Sequence, residues 1–405
     1  MKIAALHWAF PPIIGGVETH LAMLGPELVK GGMEVFLLTG SVGGRREESR
    51  HDGILVKRTP LMDLNVLSNI SIEEKAGQIR GEIYEFLYQA RPDLIHAHNM
   101  HYFSTVHARV LGGIARQVGV PLVLTAHNVW SDRLWQSMLP LAGQWDAVIA
   151  VSHFIKKELV RSGYKADRIT VVHHGIDLEK FSPPSGREKA LLLKKYPLFS
   201  GRKIIFHPAR MSLAKGSDVV VKAAALIKKE FPEFLLVLAG VEKTVDWGSS
   251  RQGEVDRIRN LINELALQEN VLIRFFSWEE MPEMYRIADF CVYPSVFEEP
   301  FGLVMLESMA TARPVIVSRS GGMPEVITNG VNGFIVSKGD PVSLAGQCVK
   351  LLRNPVLNRE MGRQGRHIAL KKFSKETMTV NTVAVYKALL EEKKGALKWK
   401  QETTA

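Results

Sequence analysis

Cysteine is nearly absent from this chain: two in 405 residues, Cys291 and Cys348. They stand far apart, in contexts that read as a strand and a helix, with no ligand-like spacing around them. A disulfide framework is excluded, a structural zinc site is disfavoured, and a reducing compartment fits. Long apolar runs are also missing. The opening stretch Met1–Leu6 is too short for a signal peptide, and no uninterrupted run approaches membrane-spanning length. The expected location is the cytoplasm, with at most peripheral contact at the inner face of a membrane. No Gly-x-Gly-x-x-Gly follows a first strand in either half, which argues against a nicotinamide-dependent dehydrogenase. No Asp-x-Asp sits in a suitable loop, so neither an obligatory metal nor any other cofactor is expected. Repeats of solenoid length are lacking too.

What is present points to two domains. The length exceeds one ordinary domain, and 46% hydrophobic residues can fill two cores. Of the net charge of +10, residues 351–400 carry most, with twelve Lys/Arg against four Asp/Glu, twelve minus four giving +8. Such a stretch is either a solvated helix face or an attraction to anionic lipid head groups. No nucleic-acid module accompanies it, and nucleic acid is not an expected partner.

Short apolar runs alternate with segments of helical period. In the first half the strands are expected at Ile3–His7, Val35–Thr39, Leu94–Ala97, Leu122–Thr125, Ala147–Val151 and Ile169–Val172. Residues 177–186, rich in Pro, Gly and Ser, read as a linker. A second series follows at Ile204–His207, Leu235–Ala239, Val271–Phe275, Phe290–Tyr293, Val315–Val317 and Phe334–Val336, and the chain ends in helices. The fold class is α/β, with two Rossmann-like domains at 1–180 and 187–373, each a parallel sheet covered on both faces. Open sheets of this kind bind ligands beyond the C-terminal ends of their strands, so the strand-to-helix loops are where function should lie.

Three loops stand out. Gly15 and Gly16 follow the first strand and precede a helix, which suits either a phosphate approached by backbone N–H groups or a plain turn. Arg210 and Lys215 lie between strand Ile204–His207 and a helix beginning near Ser217. Two cations beside a helix N-terminus suit a diphosphate, with a solvated surface pair as the bland reading. Glu299 and Glu307, eight residues apart, lie in a loop and one turn into the next helix. At that spacing they can address two parts of one ligand, such as a sugar and a ribose.

The segment Glu299-Pro300-Phe301-Gly302-Leu303-Val304-Met305-Leu306-Glu307 resembles the E-x7-E motif of the family-4 retaining glycosyltransferases of GT-B fold. Arg210 with Lys215-Gly216 resembles their phosphate-binding pair. Ser320-Gly321-Gly322, His173-His174-Gly175-Ile176-Asp177, Val151-Ser152-His153-Phe154 and Gly15-Gly16-Val17-Glu18 match in the same order, over nearly the whole chain. The resemblance implies two domains facing an interdomain cleft, with 187–373 holding a nucleotide-sugar donor and 1–180 on the acceptor side. A C-terminal crossover helix, about 374–395, would rejoin the first domain. Arg210 and Lys215 would hold the donor diphosphate, with amides near Gly15 and Gly16 closing over it. Glu307 would bind the ribose, and Glu299 with the backbone of Phe301, Gly302 and Leu303 would contact the sugar and distal phosphate. His127 matches the family's active-site histidine. Phe276-Ser277-Trp278 stands where similar proteins carry Gly near the base.

The implied reaction moves a hexosyl unit from a nucleotide diphosphate sugar to a hydroxyl acceptor, in cell-envelope polysaccharide or glycolipid synthesis. The acceptor could be a saccharide, a lipid-linked molecule or a small molecule. It would meet the loops His96–Tyr102 and Asn128–Trp135, whose aromatic rings fit sugar stacking, a lipid border or core packing. His96, His98 and His101 invite a metal reading, but no carboxylate completes the site. The alternatives are a sugar-nucleotide epimerase of similar architecture, against which the Glu299/Glu307 spacing argues, and a non-catalytic sugar-nucleotide binder, against which His127 argues. A polysaccharide phosphorylase would need a pyridoxal-bearing lysine motif, and none is apparent.

Overall fold

The computed structural model of the chain describes residues 1–67, 69–240 and 251–393. These divide into two compact units. One is Met1–Gly175 together with the chain from Lys375 onward, and the other is Ile176–Ser374.

In the first unit the described residues form an eight-stranded sheet. Its strands are β1 (Lys2–Leu6), β2 (Glu34–Gly40), β3 (Glu47–His51), β4 (Ile54–Thr59), β5 (Leu94–His98), β6 (Leu122–Ala126), β7 (Ala147–Ala150) and β8 (Ile169–Val171), in the spatial order β3-β4-β2-β1-β5-β6-β7-β8. Every residue of β5 and β6 is buried, as expected of central parallel strands covered on both faces. Strand β3 pairs antiparallel with β4 at one edge. Its sequence Glu-Glu-Ser-Arg-His has no apolar run, so the expected series of strands omitted it. The helix Lys375–Glu392 closes the core: Tyr386 and Leu389 pack with Ile3, Leu24, Val35 and Leu94. The two ends of the chain thus share one core.

The second unit carries a six-stranded parallel sheet of β9 (Lys203–His207), β10 (Phe234–Gly240), β11 (Val271–Phe275), β12 (Phe290–Tyr293), β13 (Val315–Ser318) and β14 (Gly333–Val336), ordered β11-β10-β9-β12-β13-β14. Val220, Leu236, Val292, Ile316 and Leu344 lie at its core.

The division falls at 175/176, earlier than the composition suggested. Residues 177–186 are not a free linker. Arg286 Nε donates to the Ser182 carbonyl at 3.0 Å, Arg366 Nη1 donates to the Phe181 carbonyl at 3.0 Å, and the buried Phe181 ring meets Tyr285 edge-on at 5.8 Å. Two arginines distant in sequence hold this segment to the second unit. No helix among the described residues is long and apolar enough to cross a membrane.

Candidate functional site

Strand order locates the sites. In the second sheet the winding direction reverses between β9 and β12, and at such a switch point the two strands' following loops diverge and leave a crevice. The loop after β9 carries Arg210 and Lys215, and the loop after β12 carries Glu299. The two loops are tied together: the Val296 and Phe297 amides both donate to the Ala214 carbonyl, at 3.0 and 3.1 Å. Gly216, at φ +77°, ends the first loop, and a Cβ there would lie 2.1 Å from the Pro294 carbonyl oxygen. Glycine is therefore needed on two counts, conformation and contact.

Lys215 Nζ donates to Glu299 Oε2 at 2.7 Å, and the Tyr293 hydroxyl donates to the same oxygen at 2.8 Å. A third loop, after β13, fixes the Glu299 backbone. Its amide donates to Ser320 Oγ at 3.2 Å, its carbonyl accepts from the Gly322 amide at 2.8 Å, and a Cβ on Gly321 would lie 2.0 Å from that carbonyl oxygen. The Ser-Gly-Gly segment singled out in the sequence thus holds Glu299 in place. Its neighbour Glu298 turns elsewhere, pairing with Lys338 and accepting from the Gly321 amide at 2.6 Å. Arg210 is exposed on its loop, while Lys215 is partly buried.

Phe301 is buried, its ring 6.2 Å from Phe373. Gly302, at φ +93°, starts the helix Leu303–Ala310 with no side-chain cap, and its carbonyl accepts from the Met305 amide at 3.1 Å. Glu307, one turn in, is only 7% exposed and accepts a hydrogen bond from the Tyr285 hydroxyl. Burial pushes its carboxyl up to about 7, against the opposing pull of that hydrogen bond and of Lys180. Lys180 lies over the Trp278 ring at 4.2 Å. Tyr285, Tyr293 and Lys180 escaped the sequence reading. The tyrosines look like core aromatics, and Lys180 falls in the supposed linker.

In the first unit the sheet switches between β1 and β5. Gly15 caps the helix Gly16–Lys30 after β1, and a Cβ on Gly16 would meet nothing within 4 Å. No internal packing requires glycine at 16, so the position leaves room for something external. His127, just beyond β6, is buried. Its Nε2 faces His98 Nδ1 at 3.2 Å, its ring stacks on His174 at 5.2 Å, and its Nδ1 has no partner. Burial holds it well below the usual imidazole range, and neighbouring histidines add to the effect. His96 and His101 are engaged elsewhere. His96 bonds Thr125 Oγ1 at 2.7 Å and the Tyr386 hydroxyl at 2.6 Å, and His101 Nε2 bonds the Asn128 carbonyl at 2.8 Å. These contacts occupy both ring nitrogens of His96 and one of His101. Of the aromatic loop residues, Trp135 is buried, whereas Trp130 is 40% exposed and stacks on Tyr102 at 5.3 Å.

Residues 14–180 match the family model described as Glycosyltransferase Family 4, and residues 188–368 match that described as Glycosyl transferases group 1. A D-inositol 3-phosphate glycosyltransferase of Salinispora arenicola is 30% identical over 322 residues, spanning 73% of this chain and 68% of that protein. The chain belongs to the GT-B glycosyltransferases. Among other relatives of this glycosyltransferase, an N-acetyl-alpha-D-glucosaminyl L-malate synthase of Bacillus anthracis is 25% identical, over 95% of this chain and 96% of its own. Crystalline HepE of Anabaena, described in complex with UDP and glucose, superposes with a TM-score of 0.78 at 22% identity, covering 96% of this chain and 99% of its own. Sucrose-phosphate synthase of Thermosynechococcus elongatus reaches 0.80 at 22% identity and the same coverage. At these identities the likeness is one of fold.

Proposed function

We propose that this glycosyltransferase acts in the family-4 manner: it moves a hexosyl unit from a nucleoside diphosphate sugar to a hydroxyl acceptor, with retention and without an obligatory divalent cation. The observation carrying the proposal is the ion pair of Lys215 with Glu299, steadied by Tyr293, at the switch point that also bears Arg210. Arg210 and Lys215 neutralise the departing diphosphate as the sugar gains oxocarbenium character, the work given to a divalent cation elsewhere. Glu299 and the amides from Phe301 to Leu303 orient the sugar and distal phosphate. Glu307 accepts from the ribose hydroxyls, and the backbone near Gly15 and Gly16 together with His127 completes the donor contacts. No carboxylate presents itself as a nucleophile, so the acceptor attacks from the leaving-group face and the diphosphate takes its proton.

UDP-glucose is the first donor to try, because HepE shares the fold and is described in complex with it. The acceptor is proposed as an envelope saccharide or glycolipid, with the exposed Trp130–Tyr102 pair offering a face for sugar stacking. Peripheral membrane contact would fall to lysines 387–400. Of these, Lys393 pairs with Asp146 at 2.5 Å, and residues 394–400 lie outside the described residues.

A thermal-shift and turnover screen against UDP-, GDP- and ADP-sugars tests the donor site. One nucleotide class should stabilise the protein and release or transfer sugar, and Arg210→Ala and Glu307→Ala should abolish both effects. No response to any class would end the proposal. Proton NMR of the product's anomeric centre checks retention, and full turnover in excess chelator checks the independence from metal.

A further inference from the structure

Buried polar atoms in a folded protein nearly all have partners, and exceptions call for an explanation. Near the switch point of the first sheet, His20, His98 and His127 each leave one ring nitrogen unpartnered and buried. The three come from separate elements: the helix Gly16–Lys30, strand β5 and the turn after β6. Each brings a ring nitrogen within 4.8 Å of the other two.

His20 would offer its unpartnered Nε2, whereas His98 and His127 would offer the nitrogens that face each other, Nδ1 and Nε2, leaving their own unpartnered nitrogens outside the site. His98 Nδ1 and His127 Nε2 face each other at 3.2 Å. Two imidazoles bound to one tetrahedral zinc, with bonds of roughly 2.0–2.1 Å, place their nitrogens at about that spacing. On His20, Nδ1 is engaged by His174 Nδ1 at 2.9 Å, which orients the ring and leaves Nε2 as the nitrogen available to an ion. A hydrogen bond to the far ring nitrogen is the usual way a ligating imidazole is oriented. Burial keeps all three rings neutral, the form that binds metal.

We infer that His20, His98 and His127 form a three-imidazole site for a zinc-type transition-metal ion, and that an ion bound there withdraws His127 from the transfer reaction. Zinc would then be an inhibitor. This agrees with metal-independent transfer, because Mg2+ and Ca2+ prefer oxygen ligands and would not occupy the site. The inhibitory half rests on the role given to His127 above, and the binding half does not.

The test uses the full chain after chelator treatment and dialysis. Zn2+ titrated by calorimetry should bind one ion per chain, and Co2+ should give the visible bands of a nitrogen-coordinated ion. His20→Gln and His98→Gln should each weaken binding at least about tenfold, and the exposed control His367→Gln should not. Binding unchanged in both inner variants, or lost only in the control, overturns the site. Should either inner variant fail to fold, Cu2+ electron paramagnetic resonance of the unaltered protein decides: coupling to three imidazole nitrogens supports the site, and fewer than three overturns it. One equivalent of Zn2+ should suppress turnover reversibly, whereas bound zinc with undiminished turnover refutes the inhibitory half alone.

Discussion

The two units place chemistry at the same topological point, beyond the strands where each sheet reverses, yet with opposite materials. The second uses Arg210, Lys215 and Glu299, ionisable groups on the loops after its strands, two of them joined as an ion pair. The first uses buried neutral imidazoles that face one another. Fixed charge suits a ligand that is itself charged. Neutral rings with lone pairs suit hydroxyls or a metal, and they respond to protons.

Removing a fixed charge should give the largest effect. Lys215→Ala should lower kcat/KM by about 100- to 1000-fold, the usual loss when a group stabilising developing charge is deleted. Steady-state kinetics on the preferred donor read it, and a loss under tenfold would place the reaction's charge stabilisation elsewhere.

Glycines separate the units next. Gly321→Ala drives a Cβ into the Glu299 carbonyl and should destabilise the protein by about 2–3 kcal/mol. Gly16→Ala meets nothing and should leave stability within about 0.5 kcal/mol while weakening donor binding. Urea unfolding and donor titration of both variants check the contrast.

Acid should distinguish them again. His20 and His96 are held down to about 3 by burial, and His98, His127 and His174 well below the ordinary 6.5. Between those values the unfolded chain binds more protons than the folded one, so this stability is complete above about pH 6.5 and is lost as the pH falls. Glu307, raised to about 7, has the reverse sign: the folded state binds the extra proton between its ordinary 4.5 and 7, and stability there increases on acidification. In the second unit His207, lowered to about 4, partly offsets that gain. Hydrogen exchange at pH 7 and pH 5 should show β5 and β6 losing protection before β9 and β12.

The smallest effect expected is at the aromatic pair. Trp130→Ala should raise the acceptor KM by less than about tenfold, with kcat little changed, because one stacking contact is worth on the order of 1 kcal/mol.

Much of this was legible in the chain. Strands β11 and β12 lie where periodicity put them, and the basic and acidic loops announced themselves because charge at a strand's end has no packing purpose. What stayed hidden depended on side-chain direction or on distance in sequence. Tyr285 and Tyr293 look like core aromatics until their hydroxyls are seen donating to Glu307 and Glu299. The histidine group draws on positions 20, 98, 127 and 174, which no local window joins. Strand β3 has no apolar residue, and residues 177–186 look like linker because Arg286 and Arg366, which hold them, lie more than a hundred residues away.

The helix Lys375–Glu392 has a consequence for biosynthesis. It supplies Tyr386 to a core whose other parts lie before Gly175, and the whole second unit intervenes, entering and leaving side by side where the Ile176 amide donates to the Phe373 carbonyl at 2.8 Å. On the ribosome the inserted unit therefore has all its strands before the unit that precedes it has its last helix. The order of completion is the reverse of the order of synthesis, and the second unit is an insertion whose first and last residues are paired with each other.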